Sequence, residues 1–178
     1  MTKNFWHDIE AGENIPERVN VIVEIPKGSM NKYEYDKKHN MMKLDRVLFS
    51  PFHYPGDYGL IPQTLSEDGD PLDALVLVTN PTYPGILIES RPIGLLEMKD
   101  DGEPDDKIIC VSVNDPRYLH KTDISDFEDH YRSEIAHFFQ VYKDLEGKKV
   151  EILGWKSAKE AKAVVVESIK RYKDTLKK

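Results

Sequence analysis

The stretch SEDGDPLDALVLV, residues 66–78, sets Glu67, Asp68, Asp70 and Asp73 within seven positions and runs them into an apolar segment. Like charges this close repel, so the arrangement costs free energy unless opposite charge sits among them. On an extended chain, residues two apart share a face at about 6.6 Å, from a rise of about 3.3 Å per residue, which turns Asp68 and Asp70 toward one pocket. Pro71 fixes φ and removes a backbone donor, letting Asp73 turn back toward the other two. Three carboxylates converging in this way suit a hard divalent cation such as Mg²⁺ or Ca²⁺. Taken alone, DGDP also reads as a solvated polar turn. An EF-hand fails on register: counting from Asp68, the fifth position is Leu72, the sixth is Asp73 where Gly is required, and the twelfth is Thr79 in place of Glu.

A second acidic run, DDGEPDDK, occupies residues 100–107 at the mouth of another expected strand pair. For Asp101, Glu103 and Asp106 a solvated hairpin tip remains the simpler reading. Two acidic clusters on neighbouring strand ends could nonetheless hold more than one cation, and two metals about 3.5–4 Å apart clamp the attacking and leaving oxygens in phosphoryl chemistry. Such a site also needs cationic and phenolic donors for phosphate oxygens. KYEYD places Lys32 and Glu34 on one strand face and Tyr33 and Tyr35 on the other. LDRV sets Arg46 among Leu44 and Leu48 at the same parity, so that its stem packs and its guanidinium is aimed. FHYPGDYG supplies Tyr54 and Tyr58, and a helix end supplies Tyr142 and Lys143. His130 and His137, seven apart on one helical face, read as core-edge or interface residues. HExxH, GxxxxGK and CxxC are all missing from the sequence, which removes zinc-protease, phosphate-loop and thioredoxin-type chemistry.

The elements that must position these groups follow from periodicity. VNVIVEI, residues 19–25, predicts a strand ended by Pro26 and Gly28. Two more strands are expected at Lys32–Asp36 and Met42–Leu48, with His39 and Asn40 at the hairpin tip. FSPFHYPGDYGLIPQ reads as a loop, and a meander of strands follows at Ala74–Thr79, Ile86–Met98 and Lys107–Val113. Phe127, Tyr131, Ile135, Phe138, Phe139, Tyr142 and Leu145 then recur at helical steps, with Ser125 and Glu128 as a capping box. A strand at Lys149–Trp155 precedes a second helix opened by the Ser157 and Glu160 box, its buried face carrying Ala161, Val165, Ile169 and Tyr172. Strands first and helices mostly later predict an α+β fold, a small barrel or curled sheet with helices outside it.

With 178 residues and 39% hydrophobic content, the chain is expected to fold as one domain spanning 1–178 around one core. A net charge of −7 argues against nonspecific nucleic-acid binding. The lone Cys110, in KIICVSV, forms no intrachain disulfide and favours the cytosol. The N-terminal stretch MTKNFWHDIEAGENIPE carries charges where a signal peptide needs an apolar core, and no apolar run approaches the roughly 20 residues that span a bilayer. A cytoplasmic location is therefore expected.

EDGDPLDALV resembles the DxDPxD signature of the soluble family I inorganic pyrophosphatases. VIVEIPKG, KYEYD, LDRV, YPGDYG, RPIG, AHFFQVYKDLEGK and GW also stand in that family's order, so the resemblance covers nearly the whole chain. It implies a five-stranded OB-like barrel with helices outside, dependence on Mg²⁺, hydrolysis of pyrophosphate to two phosphates without a covalent intermediate, and a homohexamer. Position by position, it makes Asp68, Asp73 and Asp105 ligands of the activating magnesium ions and Asp100 a ligand of a substrate-borne one. Asp70 would take the proton from, or orient, the attacking water. Lys32, Arg46, Tyr58, Lys107, Tyr142 and Lys143 would grip the phosphates, while Glu24, Glu34 and Tyr54 would line the cavity. A noncatalytic OB-type module binding an anion or nucleic acid around a structural cation, and a metal-dependent phosphodiesterase or nucleotide hydrolase, are the competing readings.

Overall fold

Strand β1, Val19–Ile25, forms where its β-branched run predicts and stops at Pro26, which has no amide to extend a ladder. The computed structural model describes residues 3–177; Met1 and Thr2, which open the stretch weighed above as a signal peptide, and Lys178 lie outside the described residues. Strands β2, Asn31–Asp36, and β3, Met41–Val47, pair as a separate hairpin. At its tip Asp36 accepts the amides of Lys38 and His39, and Asn40 takes a left-handed φ of 55°.

The segment expected to be a loop contains a strand, β4, Asp57–Ile61, buried throughout. Its Pro and Gly neighbours mimic a turn signal, but Gly59 answers to packing. A Cβ there would stand 1.9 Å from the Ile22 carbonyl oxygen of β1, so only glycine lets the two strands approach. Strands β5, Leu72–Leu77; β6, Leu87–Asp100; β7, Glu103–Pro104; and β8, Lys107–Ser112, follow.

The strand order is β1-β4-β5-β8-β6, and β6 returns to β1, closing a ring of five strands. The expected meander is corrected at one junction: β5 pairs with β8 in parallel, bypassing β6. The long β6 runs antiparallel to β1 and β8, and its far end carries β9, Val150–Ser157. Closure satisfies the edge hydrogen bonds that an open meander would expose.

Strand alternation gives the ring two apolar faces. On one, Val19, Val21, Val23, Ala74, Val76, Ile108 and Cys110 pack with Ala161 and Val165 of helix α2, Ala158–Thr175. On the other, Ile25, Tyr58, Leu75, Leu77, Leu96, Ile109 and Val111 pack with Ile135, Phe138 and Phe139 of helix α1, Asp129–Val141. The mostly β architecture with a five-stranded ring and two helices is thus the expected one. The Ser157 and Glu160 capping box of α2 forms in both directions. The Ser125 and Glu128 box does not. Asp123 and Asp126 instead cap a 3-10 turn at Ile124–Asp126, and α1 starts at Asp129 with no side-chain cap. That helix ends before Leu145, which is exposed within a short 3-10 turn at Asp144–Glu146. His130 and His137 are both exposed; His137 meets edge-on the ring of Phe52, which packs against the core. Among the described residues no helix is long and apolar enough to cross a membrane.

Candidate active site

One rim of the ring opens into a cavity of about 540 Å³ that gathers Asp68, Asp70, Asp73, Asp100, Asp105, Lys32, Tyr58, Lys107, Tyr142, Lys143, Glu24 and Glu34. The residues arrive from β1, β2, β4, β5, β6, β8, the 66–70 turn, the link between β7 and β8, and the C-terminal end of α1. On β5, Leu72 and Ala74 face the core shared with α2, so alternation sends Asp73 to the cavity side. Lys107 has the parity of Ile109 and Val111 on β8 and points the same way. Glu24 is turned by a bulge: the register of β1 with β4 shifts between Val23 and Ile25, and these two residues fall in opposite cores. Bulges re-aim side chains in this manner.

Asp68 and Asp70 reach the cavity by a different route from the extended chain expected. Residues 66–70 form a turn, closed by the Ser66 amide donating to the Asp70 carbonyl at 2.7 Å, with Gly69 at a φ of 91°. The Asp70 amide donates to Asp68 Oδ1 at 2.9 Å. A tight turn, not strand alternation, brings the two carboxylates together.

Lys107 is the electrostatic centre. Its side chain is 2% exposed, and Nζ lies 2.6 Å from Asp73 Oδ2 and 2.5 Å from Asp105 Oδ1. Burial works to discharge the ammonium, but the two carboxylates outweigh it and hold its pKa above the ordinary lysine value. Burial raises the Asp105 carboxyl, with Lys107 opposing and Asp73 assisting. Lys143 pairs with Asp100, and Lys32 with Glu34. Glu24 is buried in the cavity wall; burial pushes its carboxyl up to about 8, against the hydrogen bond donated by the Tyr35 amide at 2.7 Å. Tyr58 and Tyr142 are raised well above 10, by burial first and then by nearby carboxylates. Both phenols therefore remain protonated donors at neutral pH.

Two expected site residues do not border the cavity. Arg46 is tied to Glu146, Nε to Oε1 at 3.0 Å and Nη2 to Oε2 at 2.8 Å, and also to Asp45. Its side chain is largely covered, at 25% exposed, with Leu48 buried and Leu44 half exposed. Tyr54 is buried in an aromatic cluster with Tyr58, Phe138 and Tyr142. Sequence reasoning missed Lys37, which lines the cavity, and assigned Tyr33 and Tyr35 to the far strand face although both line it too. Glu103 borders the cavity, whereas Asp106 is structural, accepting the Met98 amide at 3.1 Å. The partnership of Arg46 with Glu146 carries no spacing signal, since the two lie far apart in the chain.

The donor set fits hard cations. Five aspartates offer oxygen to one space, and Asp100 Oδ1 is buried without a hydrogen-bond partner, a condition rare for a carboxylate oxygen unless a donor or cation belongs beside it. Among the described residues no three of the His, Cys, Asp and Glu side chains converge as a ready-made cage; lysine ammonium groups stand between the carboxylates instead.

Carboxylates for cations, with ammonium and neutral phenol donors for oxyanions, at one rim of a closed ring, equip a phosphoryl hydrolase. The sequence model of the inorganic pyrophosphatase family matches residues 21–173. The chain is 54% identical to the inorganic pyrophosphatase of Synechocystis over 87% of its own length and 92% of the relative's. It is 50% identical to that of Haloferax volcanii over 96% and 97%. It superposes on the crystal structure of inorganic pyrophosphatase from Thermus thermophilus with a TM-score of 0.93 at 47% identity, covering 96% of this chain and 99% of that one. The chain belongs to the family I inorganic pyrophosphatases: it is an inorganic diphosphatase that hydrolyses inorganic pyrophosphate to orthophosphate. That sets aside the noncatalytic binding module and the diesterase.

Proposed function

We propose that this hydrolysis runs on Mg²⁺ held by Asp68, Asp73 and Asp105, with Asp100 meeting an ion that arrives with the substrate. The observation that carries this reading is the alternation of carboxylate and ammonium around Lys107, with Asp73 and Asp105 on either side of a buried cation. Mg²⁺ bound among these carboxylates would neutralise a diphosphate and acidify water. Asp70 takes the proton from, or orients, the attacking water, so no covalent intermediate is needed. Lys32, Lys107 and Lys143 offer ammonium groups to the phosphate oxygens, and Tyr58 and Tyr142 offer neutral hydroxyls, which stabilise charge developing on the leaving phosphate. Glu24 and Glu34 hold these donors from the wall, and Tyr54 supports Tyr58 and Tyr142 from behind. Arg46 contributes to gripping phosphate only by exchanging Glu146 for it.

The same reading makes residues 1–178 one pyrophosphatase domain, places the protein in the cytoplasm, and assembles it as a homohexamer through surfaces that include the exposed face of α1 bearing His130 and His137. Sedimentation velocity on purified protein is expected to give one species of six chains; a monomer at all concentrations would refute the assembly. The chemistry is tested by phosphate release from pyrophosphate with Mg²⁺, then after chelation. Release that stops on chelation and returns with Mg²⁺ is the expected result, whereas unchanged release would refute the metal assignment.

A further inference from the structure

Lys37 is the charged cavity residue that neither acidic cluster nor family motif singled out. It sits just beyond β2, lines the cavity, pairs with the Asp70 carboxylate, and places Nζ 4.5 Å from the ring centroid of Trp6. Trp6 is itself fastened. Its Nε1 donates to the Thr64 carbonyl at 2.8 Å, its amide donates to Asn4 Oδ1 at 3.0 Å, and its carbonyl accepts the Gln63 amide at 2.9 Å. Gln63 and Thr64 lead into the 66–70 turn that carries Asp70, so the indole is fixed relative to the backbone from which the Asp70 carboxylate projects.

That geometry answers a specific difficulty. The Asp70 backbone is held by the turn, but its side chain is 64% exposed and that of Lys37 is 45% exposed. An exposed pair between flexible side chains is weak, because ordering both offsets most of the attraction. A lysine parked on a fixed indole has fewer conformations to lose and gains cation–π attraction. We propose that Trp6 and Lys37 form a positioning pair: the indole holds the ammonium against Asp70, and the ammonium holds the Asp70 carboxylate in the orientation that serves the attacking water. This inference rests on the assignment of Asp70 above. Lys37 acts through Asp70, and Trp6 acts through Lys37.

The pair is tested by measuring kcat and KM for magnesium pyrophosphate, together with melting temperature, in Lys37→Met, Lys37→Arg, Trp6→Leu, Trp6→Phe, the Trp6→Leu/Lys37→Met double variant and Asp70→Asn. Asp70→Asn is expected to lose most activity. Lys37→Met is expected to lower kcat about tenfold with KM shifted less than about twofold, the pattern of a group that matters to the transition state more than to binding. Lys37→Arg, which keeps both the ion pair and the stacking, restores most of kcat. Trp6→Leu lowers kcat about threefold and adds nothing in the Lys37→Met background, while Trp6→Phe, keeping a ring, falls between it and wild type. Wild-type kcat in Lys37→Met with Asp70→Asn inactive overturns the inference and leaves Asp70 standing. A raised KM at unchanged kcat makes Lys37 a phosphate grip and overturns it too, as does Trp6→Leu lowering kcat equally in both backgrounds. A fully active Asp70→Asn removes the assignment of Asp70, and the positioning role with it.

Discussion

A lysine enclosed by two aspartates is usually read as a structural ion pair, but Lys107 stands where cations are expected to gather. Removing it leaves Asp73 and Asp105 facing each other across a site of low exposure. Without metal, Lys107→Met is expected to lose about 3–5 kcal/mol of stability, the usual cost of breaking a buried pair by removing one partner. Adding Mg²⁺ should then raise the melting temperature of the variant more than that of the wild type, because a divalent ion replaces the lost charge. Calorimetry with and without Mg²⁺ checks this; equal shifts in both proteins would separate the carboxylates from the cation. At this scale much was legible. Asp68, Asp70 and Asp73 were marked by crowding next to an apolar strand; the second crowd marked only the run 100–107, from which the family resemblance picked out Asp100 and Asp105. Lys37 and Glu146 were not, because their partners Asp70 and Arg46 are distant in the chain and nothing in local spacing reports such meetings.

At the scale of elements, the entry into α2 is double-capped. Ser157 and Glu160 satisfy each other, and Asp123 reaches across from the start of the 3-10 turn that precedes α1, its Oδ2 accepting the Ala158 amide at 2.7 Å. Burial acts to raise the Asp123 carboxyl, but hydrogen bonds from Ala158 and Ser125 outweigh it and hold the pKa below the usual carboxylate value. A carboxylate whose folded pKa lies below its unfolded value of about 3.9 contributes stability that is complete above that value and is lost as pH falls through the folded pKa. Asp123→Ala is therefore expected to cost about 1–2 kcal/mol at pH 7, with the gap to wild type closing as the medium is acidified below about pH 4. Urea unfolding at a series of pH values measures it, and a gap independent of pH would contradict the cap. The sequence showed both helices and most strands because their apolar periods are strong. It hid β4, where Gly59 is demanded by the approach of β1, a requirement indistinguishable in one dimension from a turn signal. It also hid the bulge that turns Glu24 inward, since one inserted residue leaves no mark on composition.

Across the whole molecule, ring closure is what makes the site. The parallel junction of β5 with β8 sets Asp73 beside Lys107, and the β6–β7 hairpin, with the Asp105 amide bonded to the Met98 carbonyl, brings Asp100 and Asp105 to the same rim. Local patterning foretold strands, helices and two acidic clusters, but not that junction, because pairing partners far apart in sequence are chosen by long-range burial and not by period. The resemblance to known pyrophosphatases supplied the barrel that periodicity left open between a ring and a curled sheet. The central claim is that the rim carboxylates seat divalent cations. Calorimetric titration of Mg²⁺ into the substrate-free protein, repeated with Asp73→Asn, tests it most directly: saturable binding in the wild type that is weakened at least about tenfold in the variant is the predicted result, and equal binding by the two proteins would contradict it.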